Sequence, residues 1–183
     1  VHDSIMLPEL SEKKDVLDVE VSFYDHTKDV ASSKTINLKE FLTSGKYKEI
    51  VEFVRDAQTA EERHNRKLEN IAMIPCVTVS GIFSYHDTKH LTSYSGLMAI
   101  DIDGKDNSIE VMRTVPAILK EMDFISYVGK SITGDGYCAI CRIENPKHFQ
   151  KHFEAMKEIL SAKGIVIDDH CSDVTRYRLA SFD

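Results

Sequence analysis

The sequence predicts one α+β domain: a mixed central sheet with a split β-α-β core, preceded by an N-terminal helical region. Three observations predict it. The chain has 183 residues, the size of a single domain, and its 42% hydrophobic content is enough for a core. From Gly96 onward the patterns run strand, helix, hairpin, helix, strand. Before that, a single alternating strand is followed by residues at helical spacing.

The elements follow in order. The first fifteen or so residues look weakly ordered. Val19 to Tyr24 alternates and reads as a strand. Asn37 caps a short helix through Phe41 and Leu42, and Tyr47, Ile50, Val51 and Val54 fall at helical spacing. Thr59 and Glu62 form a capping box opening a helix toward Glu69. Val77 to Phe83 has β character, broken by Gly81, and Gly96 to Asp103 is the best core strand. Ser108 caps the next helix, which Pro116 should kink or divide. Phe124 to Ser131 and Gly136 to Ile143 read as a hairpin around Thr133-Gly134-Asp135-Gly136. Asn145-Pro146 starts a helix whose apolar stripe is Phe149, Phe153, Met156 and Leu160 and which Gly164 ends. Ile165 to Ile167 and Tyr177 to Ala180 close the chain as strands. The later half is thus close to the split β-α-β arrangement of ferredoxin-like and RNA-recognition-like sheets. Residues 1–75 supply the strand and helices of this single domain, and 76–183 its sheet core.

The totals exclude some classes. No apolar run approaches the ~20 residues of a membrane span, and no signal segment is evident, so the expected compartment is the cytoplasm. The four cysteines are too few and too irregular for a disulfide scaffold. A net charge of −7 argues against broad affinity for duplex DNA and suits a chain that gathers carboxylates around a cation. The start at Val1 leads us to expect a domain trimmed from a longer protein.

Asp101 and Asp103 are the sharpest local feature. Two apart on a strand, they point to the same face, and two such charges repel unless a cation compensates. Magnesium, which prefers carboxylate, water and phosphate oxygens, is a natural compensator. The plainer reading is a strand running into the polar turn Asp103-Gly104-Lys105-Asp106-Asn107. An EF-hand fails, because Lys105 stands where an oxygen ligand is needed and Asp106 where the loop needs glycine. Asp168 also follows a short apolar run and could supply a third carboxylate.

Lys130, Ser131, Thr133, Gly134 and Gly136 surround a tight turn. Its glycines let backbone approach a phosphate closely, although turn geometry alone also explains them. Arg176 and Arg178 alternate on a strand, and guanidinium forks suit phosphate oxygens; a surface ion pair between Arg176 and Asp173 is the modest alternative. A zinc site on Cys138, Cys141, His170 and Cys171 is disfavoured, because Cys138 and Cys141 should face opposite sides of one strand. No His-x-His occurs, which argues against a rolling-circle nickase.

In order, these segments resemble the archaeo-eukaryotic primase superfamily, specifically its primase-polymerase-like branch and the VirE N-terminal domain family. The likeness runs from about Val77 to Asp183. Ser80-Gly81-Ile82-Phe83 leads through His90-Leu91 to Ser95-Gly96-Leu97; Asp101-Ile102-Asp103 looks like a first acidic motif. Ser131 to Tyr137 looks like a glycine-containing second motif, and Asp168 through Asp173 and Arg176 to Asp183 like a third. The resemblance implies a nucleotidyltransferase using Mg2+ or Mn2+, held by Asp101, Asp103 and Asp168. Its substrates would be a nucleoside triphosphate and a single-stranded DNA or RNA template. Lys130, Arg176 and Arg178 would hold phosphates, and a helicase-like domain would stand elsewhere in the parent chain. One departure matters: active relatives carry a histidine where this chain has Cys138, a poor substitute for a group that can be cationic. His86 or His90 would have to replace it. Otherwise the domain is a non-catalytic nucleotide- or single-strand-binding module, for which Tyr85, Tyr94, Tyr127 and Tyr137 are candidate stacking platforms.

Overall fold

The computed structural model describes residues 15–32 and 34–182. The expectation for the first fifteen residues lies almost wholly outside them. Nine strands and five α-helices are found among the described residues. β1 (Glu20–Tyr24), β2 (Lys34–Asn37), β3 (Cys76–Thr78) and β9 (Tyr177–Leu179) form a sheet in the order β2-β1-β3-β9. β4 (Gly81–Phe83) pairs with β5 (Leu91–Tyr94). β6 (Leu97–Asp103), β7 (Ile125–Lys130) and β8 (Gly136–Arg142) form a third sheet in the order β6-β8-β7.

The α+β class is as expected, but one mixed central sheet is not what forms. Every strand pairing among the described residues is antiparallel. β6 and β7 point the same way, yet β8 lies between them and pairs with both, so no parallel ladder arises. The first third joins the later half through its strand. β1 pairs with β3 in the register Ser22↔Thr78, Phe23↔Val77, which ties it to the later half.

The helices largely follow their local signals. Asn37 caps α1 (Leu38–Thr43), accepting from the Glu40 amide, and α2 covers Lys48–Arg55. Thr59 and Glu62 close the capping box of α3 (Ala60–Glu69). α4 (Ile109–Lys120), capped by Ser108, runs undivided through Pro116. Burial of Val115 and Leu119 on either side of Pro116 outweighs the proline's local cost. α5 (Phe149–Ser161) buries the expected stripe of Phe149, Phe153, Met156 and Leu160.

Ile165–Ile167 does not form the expected strand. Ile165 and Ile167 are buried and Val166 is exposed, as a strand would alternate. However, the Asn107 side chain takes both polar groups of Val166: its Oδ1 accepts from the Val166 amide at 2.9 Å and its Nδ2 donates to the Val166 carbonyl at 2.9 Å. One ladder-like bond to β6 remains, from the Asp168 amide to the Asp101 carbonyl at 3.0 Å.

The alternation of β6 divides the interior in two. Met98, Ile100 and Ile102, with Ala139 and Cys141 of β8, pack against Val115, Leu119, Phe153 and Leu160 of α4 and α5. Leu97 and Ala99, with Cys138 and Ile140, pack against Val77, Val21 and the α1–α2 side chains Phe41, Val51 and Val54. Asp101 and Asp103 continue the second face beyond its apolar part, at the end of the strand.

Candidate functional site

Asp101 and Asp103 lie opposite Cys138 and Gly136 on β8. Asp168 caps a 3-10 turn, Asp169–Cys171; its Oδ1 accepts from the His170 amide at 2.9 Å and lies 2.8 Å from His170 Nδ1. Its Oδ2 faces Asp101 across the guanidinium of Arg176, which precedes β9. Arg176 Nη2 is 2.8 Å from Asp101 Oδ2 and 3.3 Å from Asp168 Oδ2, and Nε donates to Asp101 Oδ2 at 2.9 Å. Two acids that are 67 residues apart in sequence are thus held by one cation.

The electrostatics tie Asp103 to the same cluster. Burial pushes its carboxyl upward; Lys105, 3.6 Å away, opposes this, while the charges of Asp101 and Asp168 add to it. Burial also acts upward on Asp168, but the His170 amide and ring and Arg176 outweigh it and hold that carboxyl low. Of these two acids, Asp103 therefore takes a proton before Asp168. The sign for stability follows by linkage. A carboxyl raised in the folded state contributes stability below its ordinary value of 3.8, and this is lost as pH rises through the raised range. Asp103→Asn is accordingly expected to raise the urea midpoint at pH 7 and leave it nearly unchanged at pH 3. A lower midpoint at pH 7 would show that Asp103 is held by attraction, not strained by its neighbours.

The hairpin is a braced structure. Gly134, at φ 78, supplies the left-handed residue of the turn. The Gly134 amide donates to the Ser131 carbonyl, the Asp135 amide to Thr133 Oγ1 and the Gly136 amide to Ser131 Oγ. These amides hold the turn itself, so any phosphate contact from Ser131 or Thr133 falls to their hydroxyls. A Cβ on Gly136 would lie 2.8 Å from the Ile102 carbonyl oxygen and 3.3 Å from Asp103 Oδ1. Gly136→Ala should therefore prise β8 from β6 and cost about 2 kcal/mol in urea unfolding.

Arg178, expected beside Arg176 on a phosphate-facing side, is instead interior, at 5% exposure. Its Nη2 donates to the Lys130 carbonyl at 3.0 Å and to Tyr127 Oη at 3.3 Å. It fastens β9 to β7 and is closed to a nucleotide. Lys130 gives its carbonyl to this bond and to Ser181 Oγ at 2.8 Å, while its side chain is exposed.

Beside the acids opens a cavity of about 1000 Å³. His64 and Lys67 of α3, Lys105, Arg113 of α4, Thr133 and Asp103 line it. Gly134 and Gly136 also border it, and Tyr137, alone among the four tyrosines considered for stacking, adds an aromatic wall. Burial lowers the Lys67 ammonium, which sits in the combined field of Asp103, Arg176 and Asp101. The helix is clasped to the hairpin by Arg63, whose Nε and Nη2 reach Asp135 Oδ2 and Oδ1 at 2.9 and 2.7 Å. Sequence reasoning placed α3 as a helix but assigned none of its residues to the site. The available signal was its composition: Ala60 and Leu68 are its only apolar residues, so it has no apolar stripe for a core, and none of its residues is buried.

Cys138 is 1% exposed beside Asp101, its thiol pushed up to about 12 by burial. Cys141 lies in the opposite core, as the strand alternation required, so the two cannot share a zinc ion. The side chain of Cys171 lies outside the described residues. Of the two histidines considered as replacements at the Cys138 position, His90 pairs with Asp87 at 2.7 Å on the surface. His86 stacks on Tyr177, centroids 4.0 Å apart and planes at 9°, and shares a cleft of about 320 Å³ with Arg176.

Three convergent carboxylates are donor chemistry suited to a hard divalent cation. Among the described residues no three His, Cys, Asp or Glu side chains stand at coordinating geometry for one ion. Arg176 is the cation between two of them.

Fold and site together define an α+β domain with an acidic cluster at a sheet end, and a neighbouring cavity to which the helix α3 contributes His64 and Lys67. The chain belongs to the BT4734-like N-terminal domain family, whose model matches residues 69–183. The match takes in the three acids, the hairpin and Arg176, while His64 and Lys67 lie before it. No curated protein and no solved structure matches the chain. No helix among the described residues is long and apolar enough to cross a membrane.

Proposed function

We propose that this domain performs metal-dependent nucleotidyl transfer on a single-stranded template, in the manner of primase-polymerases, during replication or mobilisation of a genetic element in the cytoplasm. The observation that carries this reading is the gathering of Asp101, Asp103 and Asp168, from distant parts of the chain, beside a cavity that Lys67, Lys105 and Arg113 line together with Glu61 and Asp135. The topology supports it. The sheet order β6-β8-β7, the crossover through α4 and the bond from the Asp168 amide to β6 favour reading this part as a split β-α-β, ferredoxin-like core whose fourth strand is not formed. The resemblance to the VirE N-terminal domain family and the primase superfamily points the same way.

In this reading Asp101, Asp103 and Asp168 hold Mg2+ or Mn2+, which when bound would neutralise phosphate charge and favour the attacking oxygen. The chain's own side chains do the positioning. Lys67, Lys105 and Arg113 draw the triphosphate into the cavity, Thr133 offers it a hydroxyl braced by Ser131, and Tyr137 flanks the base. Lys130 and Arg176 are the remaining phosphate contacts, and a helicase-like domain in the parent chain would supply the single strand.

A second reading is favoured by Cys138. Where the resemblance leads one to expect an imidazole, this chain has a buried thiol held neutral, its ionisation pushed to about 12. The domain would then bind nucleotide or single-stranded nucleic acid without catalysis. Two measurements on the protein separate the readings: template-directed incorporation with Mg2+ or Mn2+, and calorimetric titration with nucleoside triphosphates. Incorporation supports the first, and triphosphate or single-strand binding without incorporation supports the second. Neither binding nor incorporation at millimolar nucleotide, together with no affinity for single strands, sinks both.

A further inference from the structure

The Arg176 guanidinium and a divalent cation would compete for the same two oxygens. Asp101 Oδ2 takes both Nε and Nη2 of Arg176, at 2.9 and 2.8 Å, and Asp168 Oδ2 takes Nη2 at 3.3 Å. The other Asp168 oxygen is committed to the His170 amide and ring. A cation bridging Asp101 and Asp168 through Asp101 Oδ2 and Asp168 Oδ2 takes the oxygens that Arg176 now occupies, and two cations on the same oxygens repel each other strongly. The arginine also has somewhere to go. It stands outside β9, in the stretch between the Asp169–Cys171 turn and Tyr177, with its side chain about one-third exposed at 34%. It already borders the 320 Å³ cleft, whose walls include His86, Asp173 and Thr175.

We infer that Arg176 is a positioning residue that holds Asp101 and Asp168 together in the metal-free site and is exchanged for the metal when one binds. The inference rests on the proposed metal site and deepens it. With the ion in place, the displaced guanidinium swings over the neighbouring cleft, where it is free to take a substrate phosphate. Metal binding and arginine delivery are then one event, so the phosphate-binding group is presented only after the ion is seated. Without Arg176 the three carboxylates would repel one another; with it they stay gathered at the cost of weaker metal affinity.

The test reads metal binding, with no turnover needed. Mn2+ is titrated into the wild-type chain, Arg176→Met and Arg176→Lys, and free ion is followed by electron paramagnetic resonance. Removing the competitor should tighten Mn2+ binding in Arg176→Met by about tenfold. Arg176→Lys should fall between, because an ammonium lacks the fork that spans both carboxylates. In the wild-type chain, the Arg176 Nε–H resonance should shift and exchange faster with water as Mg2+ is added, saturating with ion binding. This second measurement decides the matter if Arg176→Met does not fold. Equal or weaker Mn2+ binding by folded Arg176→Met, or an Arg176 resonance unmoved at saturating Mg2+, overturns the exchange while leaving the metal site standing. No Mn2+ binding by any of the three chains overturns both.

Discussion

Asp101→Asn is expected to lower template-directed nucleotide incorporation by on the order of 10³, the loss that follows from removing a charged metal ligand worth several kcal/mol at the transition state. The substitution keeps the side-chain shape and the β6–β8 ladder, in which Asp101 lies opposite Cys138, so the fold should survive. Arg176 keeps its other partner, Asp168, at 3.3 Å. Circular dichroism and the urea midpoint should therefore change little while Mn2+ binding collapses. Asp103→Asn should behave alike in activity yet gain stability at neutral pH, since its charge is opposed by its neighbours. Activity undiminished in both variants would remove the acids from the chemistry.

Arg55→Ala is expected to cost about 3 kcal/mol of stability, because hydrogen bonds from a charged group contribute about 1.5–3 kcal/mol each and are not additive. From the end of α2 its guanidinium reaches two separate parts of the chain. It donates to the Ser131 and Ile132 carbonyls of the hairpin at 2.8 and 3.3 Å. It also donates to the Phe182 carbonyl and Ser181 Oγ near the C-terminus at 2.7 and 2.8 Å. Truncation leaves these part-buried acceptors without that donor and frees the hairpin that borders the cavity. Urea denaturation reads the loss, and Arg55→Lys should recover only a small part, since one ammonium cannot span the set. A cost under about 0.5 kcal/mol would mean that solvent replaces these bonds without penalty.

Local order was legible in the sequence wherever one residue's chemistry decides its own neighbourhood. Asn37, Thr59 with Glu62, and Ser108 each cap the helix expected of them. The stripe of α5 is buried as its spacing required. The pleat of β6 puts Asp101 and Asp103 on one face and, through its partner β8, sends Cys138 and Cys141 into opposite cores. What failed was non-local. Ile165–Ile167 has strand chemistry, yet the Asn107 side chain takes its ladder bonds from 59 residues away. Of the kink or division that Pro116 signals, the division does not occur, and Val115 and Leu119 are buried on either side of it.

The same division runs through the site. Which residues carry charge, and that Asp101 and Asp103 share a face, the sequence alone determined, because strand periodicity is a property of the backbone. That Asp168 meets them, that Arg176 rather than Arg178 faces the acids, and that α3 brings Lys67 to the same cavity, only the tertiary structure decided. Arg176 and Arg178 are two residues apart and alike in chemistry. One ends among carboxylates and the other sealed beneath Tyr127 because burial depends on which distant segment lies across each position. A charge's effect depends on what stands within a few ångströms of it, and only folding sets those distances.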